Sequence, residues 1–99
     1  MDRRLQLHEL LLTFCPNVYF QPPDSMTMVY PAIRYYQDDE DALFASNRPY
    51  RRQKRYQVTV IDRKPDSDIP EKVADLPLCS FDRIYVADNL NHTVFNLYF

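Results

Sequence analysis

The sequence predicts a single α+β domain: one mainly antiparallel β-sheet, two helices packed on one of its faces, and a long charged loop or hairpin arm. Two stretches have apolar residues at helical spacing, one at the start of the chain and one in its second half. Several others are rich in β-branched and aromatic residues and are separated by turn signals. With 99 residues, 45% of them hydrophobic and 26% charged, one small folded domain spanning 1–99 is expected.

The first helix is predicted from Arg3 to Phe14 and is ended by Pro16. Its apolar face follows the i, i+3, i+4, i+7 pattern through Leu7, Leu10, Leu11 and Phe14. Leu5 and Leu12 fall nearly opposite that face. They indicate either a helix packed on two sides or a second apolar stripe that contacts another subunit.

Two extended segments follow this helix. Asn17 to Phe20 is predicted as a short strand, and Met26 to Tyr36 as a longer one. Pro31 lies within the longer segment, which favours an edge position or a bulge because proline has no N–H to donate.

The second half of the chain predicts strand, helix, strand and strand. Tyr56 to Asp62 alternates cleanly and is predicted as a strand. Asp68 is the expected N-cap of a short helix, whose apolar face comprises Ile69, Val73 and Leu76. Strands are then predicted over Cys79 to Val86 and Thr93 to Phe99, with turn residues at Asp88-Asn89 between them.

The sequence shows no catalytic, cofactor-binding or metal-binding pattern. Glycine is absent, which excludes a Gly-rich phosphate loop, a dinucleotide fingerprint and a nucleophile elbow. His8-Glu9 begins like a zinc-protease helix, but Leu12 stands where the second histidine is needed. We therefore expect a protein that is not an enzyme and has no cofactor.

The sequence shows no signal-peptide core, so a cytoplasmic setting is expected. In that setting Cys15 and Cys79 are expected to be two buried thiols rather than a disulfide. No run approaches the ~20 apolar residues of a membrane-spanning helix, so no membrane association is expected.

A charged arm, defined here as residues 37–55, is the most distinctive feature of the sequence. It begins with an acidic run and ends with a basic one that contains Tyr50 and is followed by Tyr56, a mixture that suits phosphate contact and base stacking. The charges of the two runs nearly cancel. In the whole chain, 12 Lys and Arg likewise nearly balance 14 Asp and Glu. Contact with another subunit or partner is favoured over a nucleic-acid groove or a merely solvated loop, since opposite charges on identical chains can meet head to tail and close a ring.

The residues expected to form this interface are the charged residues of the arm and the two outlying leucines. They are Asp38, Asp39, Glu40, Asp41, Arg48, Arg51, Arg52, Lys54, Arg55, Leu5 and Leu12.

Three stretches give the chain a resemblance to a known family: MVYPAIRYY at 28–36, RYQVTVIDRKPDSDIPEKVADLP at 55–77 and SFDRIYVADNLNHTVFNLYF at 80–99. Together with the order of elements, they resemble the tail terminator (tail completion, or neck) proteins of long-tailed bacteriophages. The resemblance implies a structural protein, assembled as a hexameric ring that caps the tail tube and presents a surface to the head connector. Its expected partners are further copies of itself, the tail tube protein and the connector or head-closure protein. It would lie in the virion at the head–tail junction, after assembly in the host cytoplasm.

Two alternatives remain at this stage. The first is a neighbouring neck protein, such as a head-closure or connector-adaptor protein, which shares the small size and lack of chemistry. The second is a small nucleic-acid-binding protein that uses Arg48 to Arg55. In the leading interpretation the only nucleic acid nearby is DNA passing through the ring, and free monomers are compatible with assembly on a template.

Overall fold

The fold is an open five-stranded sheet with two helices. The computed structural model describes residues 3–23, 27–45, 48–64 and 66–99, with side chains described from residue 4 onward except at 39–53. In chain order the elements are α1 (Arg3–Leu12), β1 (Val18–Phe20), β2 (Ala32–Ala45), β3 (Arg48–Asp62), α2 (Ile69–Ala74), β4 (Cys79–Ala87) and β5 (Leu90–Tyr98).

The strands lie in the order β1-β2-β3-β5-β4. The three-residue strand β1 pairs in parallel with β2, and the other three pairings are antiparallel. The predicted α+β class with a mainly antiparallel sheet is therefore confirmed.

Both helices pack on the same face of the sheet. Along β3, Tyr56, Val58 and Val60 point to this face and are at most 1% exposed. The side chains that surround them belong to one buried cluster built from both helices and the two neighbouring strands: Leu7, Leu11, Ile33, Tyr35, Ile69, Val73, Phe95 and Leu97. The alternation in the sequence thus identified the core-facing side of β3, and the helical spacing identified the buried face of α1.

Several predicted boundaries were wrong. β2 continues to Ala45 rather than Tyr36, β3 begins at Arg48 rather than Tyr56, and β5 begins at Leu90 rather than Thr93.

Proline explains a further difference. β2 begins at Ala32 rather than Met26, because Pro31 has no N–H to donate and stands directly before the strand rather than inside it. The peptide bond from Tyr30 to Pro31 is cis. α1 ends at Leu12 rather than Phe14, and the N–H groups of Phe14 and Cys15 both donate to Leu11 O in a closing turn.

The start of α2 also differs from expectation. Asp68 occupies the N-cap position, but its backbone is already helical and its side chain makes no capping hydrogen bond. Instead, Ile69 N donates to Ser67 Oγ at 3.3 Å, and the Asp68 carboxylate lies 3.6 Å from Lys72 Nζ one turn later. Pro70 fits the first turn of the helix, where no N–H is needed.

The β4–β5 turn shows how this chain manages without glycine. Ala87 and Leu90 are paired in register, so Asp88 and Asn89 form a two-residue hairpin loop. Their φ angles are 52° and 61°. A turn with positive φ at both central positions suits the twist of a hairpin, and Asp and Asn tolerate it better than other residues with a side chain.

The charged arm is a hairpin made by the outer ends of β2 and β3. β3 pairs with β5 only over Arg55–Asp62, and β1 pairs with β2 only over Ile33–Tyr35. Beyond these limits the two strands pair only with each other, which gives the molecule extents of 50 × 24 × 23 Å. Asp38 to Asp41 lie within β2, so the predicted loop or hairpin arm is a hairpin.

Truncating Leu11 to alanine should lower the free energy of unfolding by about 2–5 kcal/mol, because this side chain is fully buried against the sheet. Leu12→Ala is the matched control. Leu12 is 43% exposed, so its loss should cost less than about 1 kcal/mol in urea unfolding. Equal losses would contradict the burial assigned to α1.

Candidate assembly interface

The base of the charged arm is fixed where β3 leaves the five-stranded sheet. Arg55 Nε donates to Asp38 Oδ1 at 3.0 Å across the hairpin. The hydrogen bond that Arg55 donates to Asp38, with a smaller contribution from Tyr98, raises the pKa of Arg55 further above its ordinary value. Phe99 N also donates to Lys54 O at 3.1 Å. The arm thus starts from a defined position relative to the sheet.

The strand register sorts the charges of the arm into two zones. In the inner zone, acidic positions of β2 lie opposite basic or polar positions of β3: Asp39 opposite Arg55, Glu40 opposite Lys54, and Asp41 opposite Gln53. In the outer zone, arginines lie opposite uncharged positions: Arg52 opposite Ala42, Arg51 opposite Leu43, and Arg48 opposite Ala45. Cross-strand pairs of opposite charge stabilise a hairpin by roughly 0.2–1 kcal/mol each. Two of the three inner pairs therefore have opposite charges within the chain, whereas the outer arginines have no carboxylate directly opposite among the paired residues.

The two outlying leucines of α1 are exposed. Leu5 is 46% and Leu12 is 43% accessible, while Leu7 and Leu11 on the same helix are fully buried. A helix packed on two sides would require another element over this stripe, and the described part of the chain does not pack over it. Its use by another subunit stays a prediction.

A second apolar surface was missed by the sequence reasoning. The β4 edge, named here for residues 78–86 at the end of the sheet, exposes Leu78, Phe81, Ile84 and Val86 by 59–69%. In the sequence these residues resemble core positions, because nothing local shows that β4 is an edge strand. The adjacent charges Asp82 and Arg83 were the available signal, since charged residues are typical of exposed edges.

An open pocket lies beside the base of the arm. It is lined by Gln21, Pro22, Arg34, Tyr36 and Gln37. Arg34 and Tyr36 alternate with core-facing residues of β2, so this pocket is on the sheet face away from the helices. The Nε of Arg34 is buried and has no hydrogen-bond partner among the described residues.

The cysteines are free thiols rather than a disulfide, as predicted. Cys15 is buried and its thiol donates to Pro31 O at 3.3 Å, whereas Cys79 is half-buried rather than buried. Burial raises the pKa of both thiols. A raised pKa keeps the thiol protonated, so neither cysteine has the environment of a nucleophile.

Both histidines have structural partners. His8 Nδ1 lies 2.7 Å from the hydroxyl of Tyr35, a contact that joins α1 to β2. His92 stacks on Tyr85 with ring centroids 4.6 Å apart, and its Nδ1 lies 3.1 Å from Leu90 O. Within the described ranges, no group of three or more His, Cys, Asp or Glu side chains is placed to hold a metal ion. No helix in that same part of the chain has the length and apolar character needed to cross a membrane.

No protein-family model, curated protein or solved structure matches this chain.

Stability should fall with pH just below 6.5 because of His8. Burial, and after it the positive charge of Arg4, lower the pKa of His8 below its ordinary value of 6.5. The unfolded chain then takes up a proton at His8 before the folded chain does. The stabilisation is therefore complete above pH 6.5 and is lost as the pH falls through the lowered folded-state pKa.

Urea unfolding at a series of pH values tests this expectation. The variant His8→Gln should show a flatter dependence of the unfolding free energy between about pH 5 and pH 7 than the unmodified chain. An identical slope in both proteins would show that His8 does not couple folding to pH.

Proposed function

We propose that this chain is a structural protein of the head–tail junction of a long-tailed bacteriophage, where it caps the tail tube as a ring and offers a docking surface to the head connector. The phage assignment is supported by the three stretches that resemble tail terminator proteins. The assembly role is supported by the geometry of the arm, and the observation that carries it is the outer row of arginines placed opposite uncharged positions.

The arm suits a contact between subunits because it is long, paired along its length and anchored at one end. A hairpin satisfies its own inner backbone hydrogen bonds, so it can project without a third strand. The Asp38–Arg55 ion pair and the Phe99–Lys54 hydrogen bond fix its direction at the base. The outer arginines would then meet carboxylates on the next copy. Such head-to-tail contacts close into a ring when the rotation between copies allows it.

Leu5 and Leu12 would supply the apolar part of the same assembly. Side chains exposed by more than two-fifths on a short helix gain free energy when another subunit covers them. Charges at the rim mainly steer association and fix register, while the apolar contact contributes affinity.

The register disfavours the nucleic-acid alternative. Asp39 and Glu40 lie directly opposite the two innermost cations, Arg55 and Lys54. A phosphate backbone would meet carboxylates along with these cations, which weakens the electrostatic attraction that dominates such binding. A head-closure or connector-adaptor role belongs to the same structural class and differs in its effect on tail length.

Reversing the charge of three arm residues should block assembly. In the phage or prophage that encodes the chain, the triple variant Arg51→Glu, Arg52→Glu, Arg55→Glu should give tails of abnormal length or particles that fail to join, measured by electron microscopy. The matched control is Arg63→Glu, Lys64→Glu, Lys72→Glu, which makes the same charge change at exposed positions outside the arm. Tails of normal length from the arm variant would contradict the proposal.

A charge swap separates the ion pair within the chain from contacts between chains. Asp38→Arg with Arg55→Asp keeps opposite charges at the base of the arm and should assemble better than Arg55→Glu alone.

Filter binding to duplex DNA distinguishes the nucleic-acid alternative. Affinity that falls steeply with salt and is lost in the triple variant would favour that alternative instead.

A further inference from the structure

The β4 edge presents an exposed apolar row next to an edge of the sheet that no described strand pairs with. β4 is the last strand of the sheet and pairs with β5 on one side only. Phe81, Ile84 and Val86 are each at least 60% exposed. An apolar edge strand with free backbone groups is a template for pairing with another strand.

A bulge in β4 places its apolar residues on one face. The register with β5 shifts between Phe81 and Arg83, so Asp82 is an extra residue. Four residues of β4 therefore lie opposite positions of β5 that are on the helix-side face of the sheet: Cys79, Phe81, Ile84 and Val86. Phe81 also contacts the ring of Phe95, with centroids 6.1 Å apart. The exposed row therefore continues the face on which the helices pack.

We propose that the β4 edge pairs antiparallel with the β4 edge of a second copy of this chain, about a two-fold axis between Asp82 and Arg83. In this register the apolar residues of the helix-side face meet apolar residues, and each charge meets its opposite. The cross-chain pairs are Asp82 with Arg83, Phe81 with Ile84, Ser80 with Tyr85, and Cys79 with Val86.

Neighbouring registers do not have this complementarity. A shift by one position places Asp82 opposite its own copy in one direction and Arg83 opposite its own copy in the other, so like charges meet on the axis. A shift by two places Asp82 opposite Phe81 or Arg83 opposite Ile84. Like charges directly opposite each other destabilise a strand pair, and a one-residue shift also reverses the faces.

Asp82 and Arg83 are accessible, and their charged groups already lie close together within one chain. Arg83 Nη1 lies 3.7 Å from Asp82 Oδ2 within the chain, with the two side chains 58% and 32% exposed. In the dimer each carboxylate gains the arginine of the partner as well. The faces of the two sheets match, so the helices of both copies lie on the same side of one continuous sheet.

This inference goes beyond the proposed function and does not rest on it. The arm contact is head-to-tail, whereas the β4 contact is two-fold and uses an edge strand that is not part of the arm. Arm variants and β4 variants therefore test the two separately.

Charge reversal with rescue tests the register. Sedimentation equilibrium should show a reversible dimer for the unmodified chain, and Asp82→Arg or Arg83→Asp alone should weaken association at least tenfold. The double variant Asp82→Arg with Arg83→Asp should restore it, since the charges again meet their opposites. Asp75→Arg and Arg63→Asp, at exposed positions outside β4, should leave association unchanged.

Cross-linking gives a second readout that does not depend on affinity. With oxidised glutathione as oxidant, Val86→Cys should form a disulfide-linked dimer with the native Cys79 of the partner copy, because those positions are directly opposed. The dimer should be lost in Cys79→Ser with Val86→Cys, and Val29→Cys, at another exposed valine, should not form it. A chain that stays monomeric, a dimer unaffected by the single charge reversals, or the absence of the Val86→Cys cross-link would overturn the proposal. Circular dichroism of each variant checks that the fold is retained.

Discussion

The register of β3 is the constraint on which the rest of the structure depends. This strand pairs with β2 along most of its length and with β5 over its inner half. Its alternation sends Tyr56, Val58 and Val60 towards both helices. Because side chains alternate with a period of two, a slip by one residue would move this whole row to the other face. Burial of these three residues therefore fixes the pairing of β2 with β3 in the core, as far as Gln37 opposite Tyr56.

The arm begins where this register shifts by one residue. Val58 lies opposite Tyr35 in the core, Asp38 is then an extra residue in β2, and beyond it Lys54 lies opposite Glu40 and the outer arginines lie opposite uncharged positions. The Asp38–Arg55 ion pair lies where β3 stops pairing with β5 and continues into the arm. Core packing and the surface proposed for assembly are thus linked through one continuous strand.

Periodicity explains which parts of this fold could be predicted from the sequence. The buried face of α1 and the inward residues of β3 and β5 followed from helical and strand spacing, because burial on one side imposes those periods. The arm strands gave no such signal, since the sequence from Asp38 to Asp41 and through the arginines of the arm does not alternate between apolar and polar residues. Their extended form depends on pairing with each other, which local propensity does not encode.

The residues of the proposed interfaces also differ in how far the sequence predicts them. The charged arm was recognisable because unlike charge runs are visible in the sequence, but the split between an inner zone and an outer row of arginines required the register. The β4 edge was missed because its exposure depends on strand order. β4 and β5 are adjacent in the chain, yet only β5 is enclosed, since β3 pairs with β5 on its other side.

Localisation by gold-labelled antibody on purified particles tests the central claim most directly. The proposed function predicts label at the junction between head and tail of virions from the phage or induced prophage that encodes the chain. Absence of label from intact particles, or label confined to another part of the virion, would contradict a role at this junction.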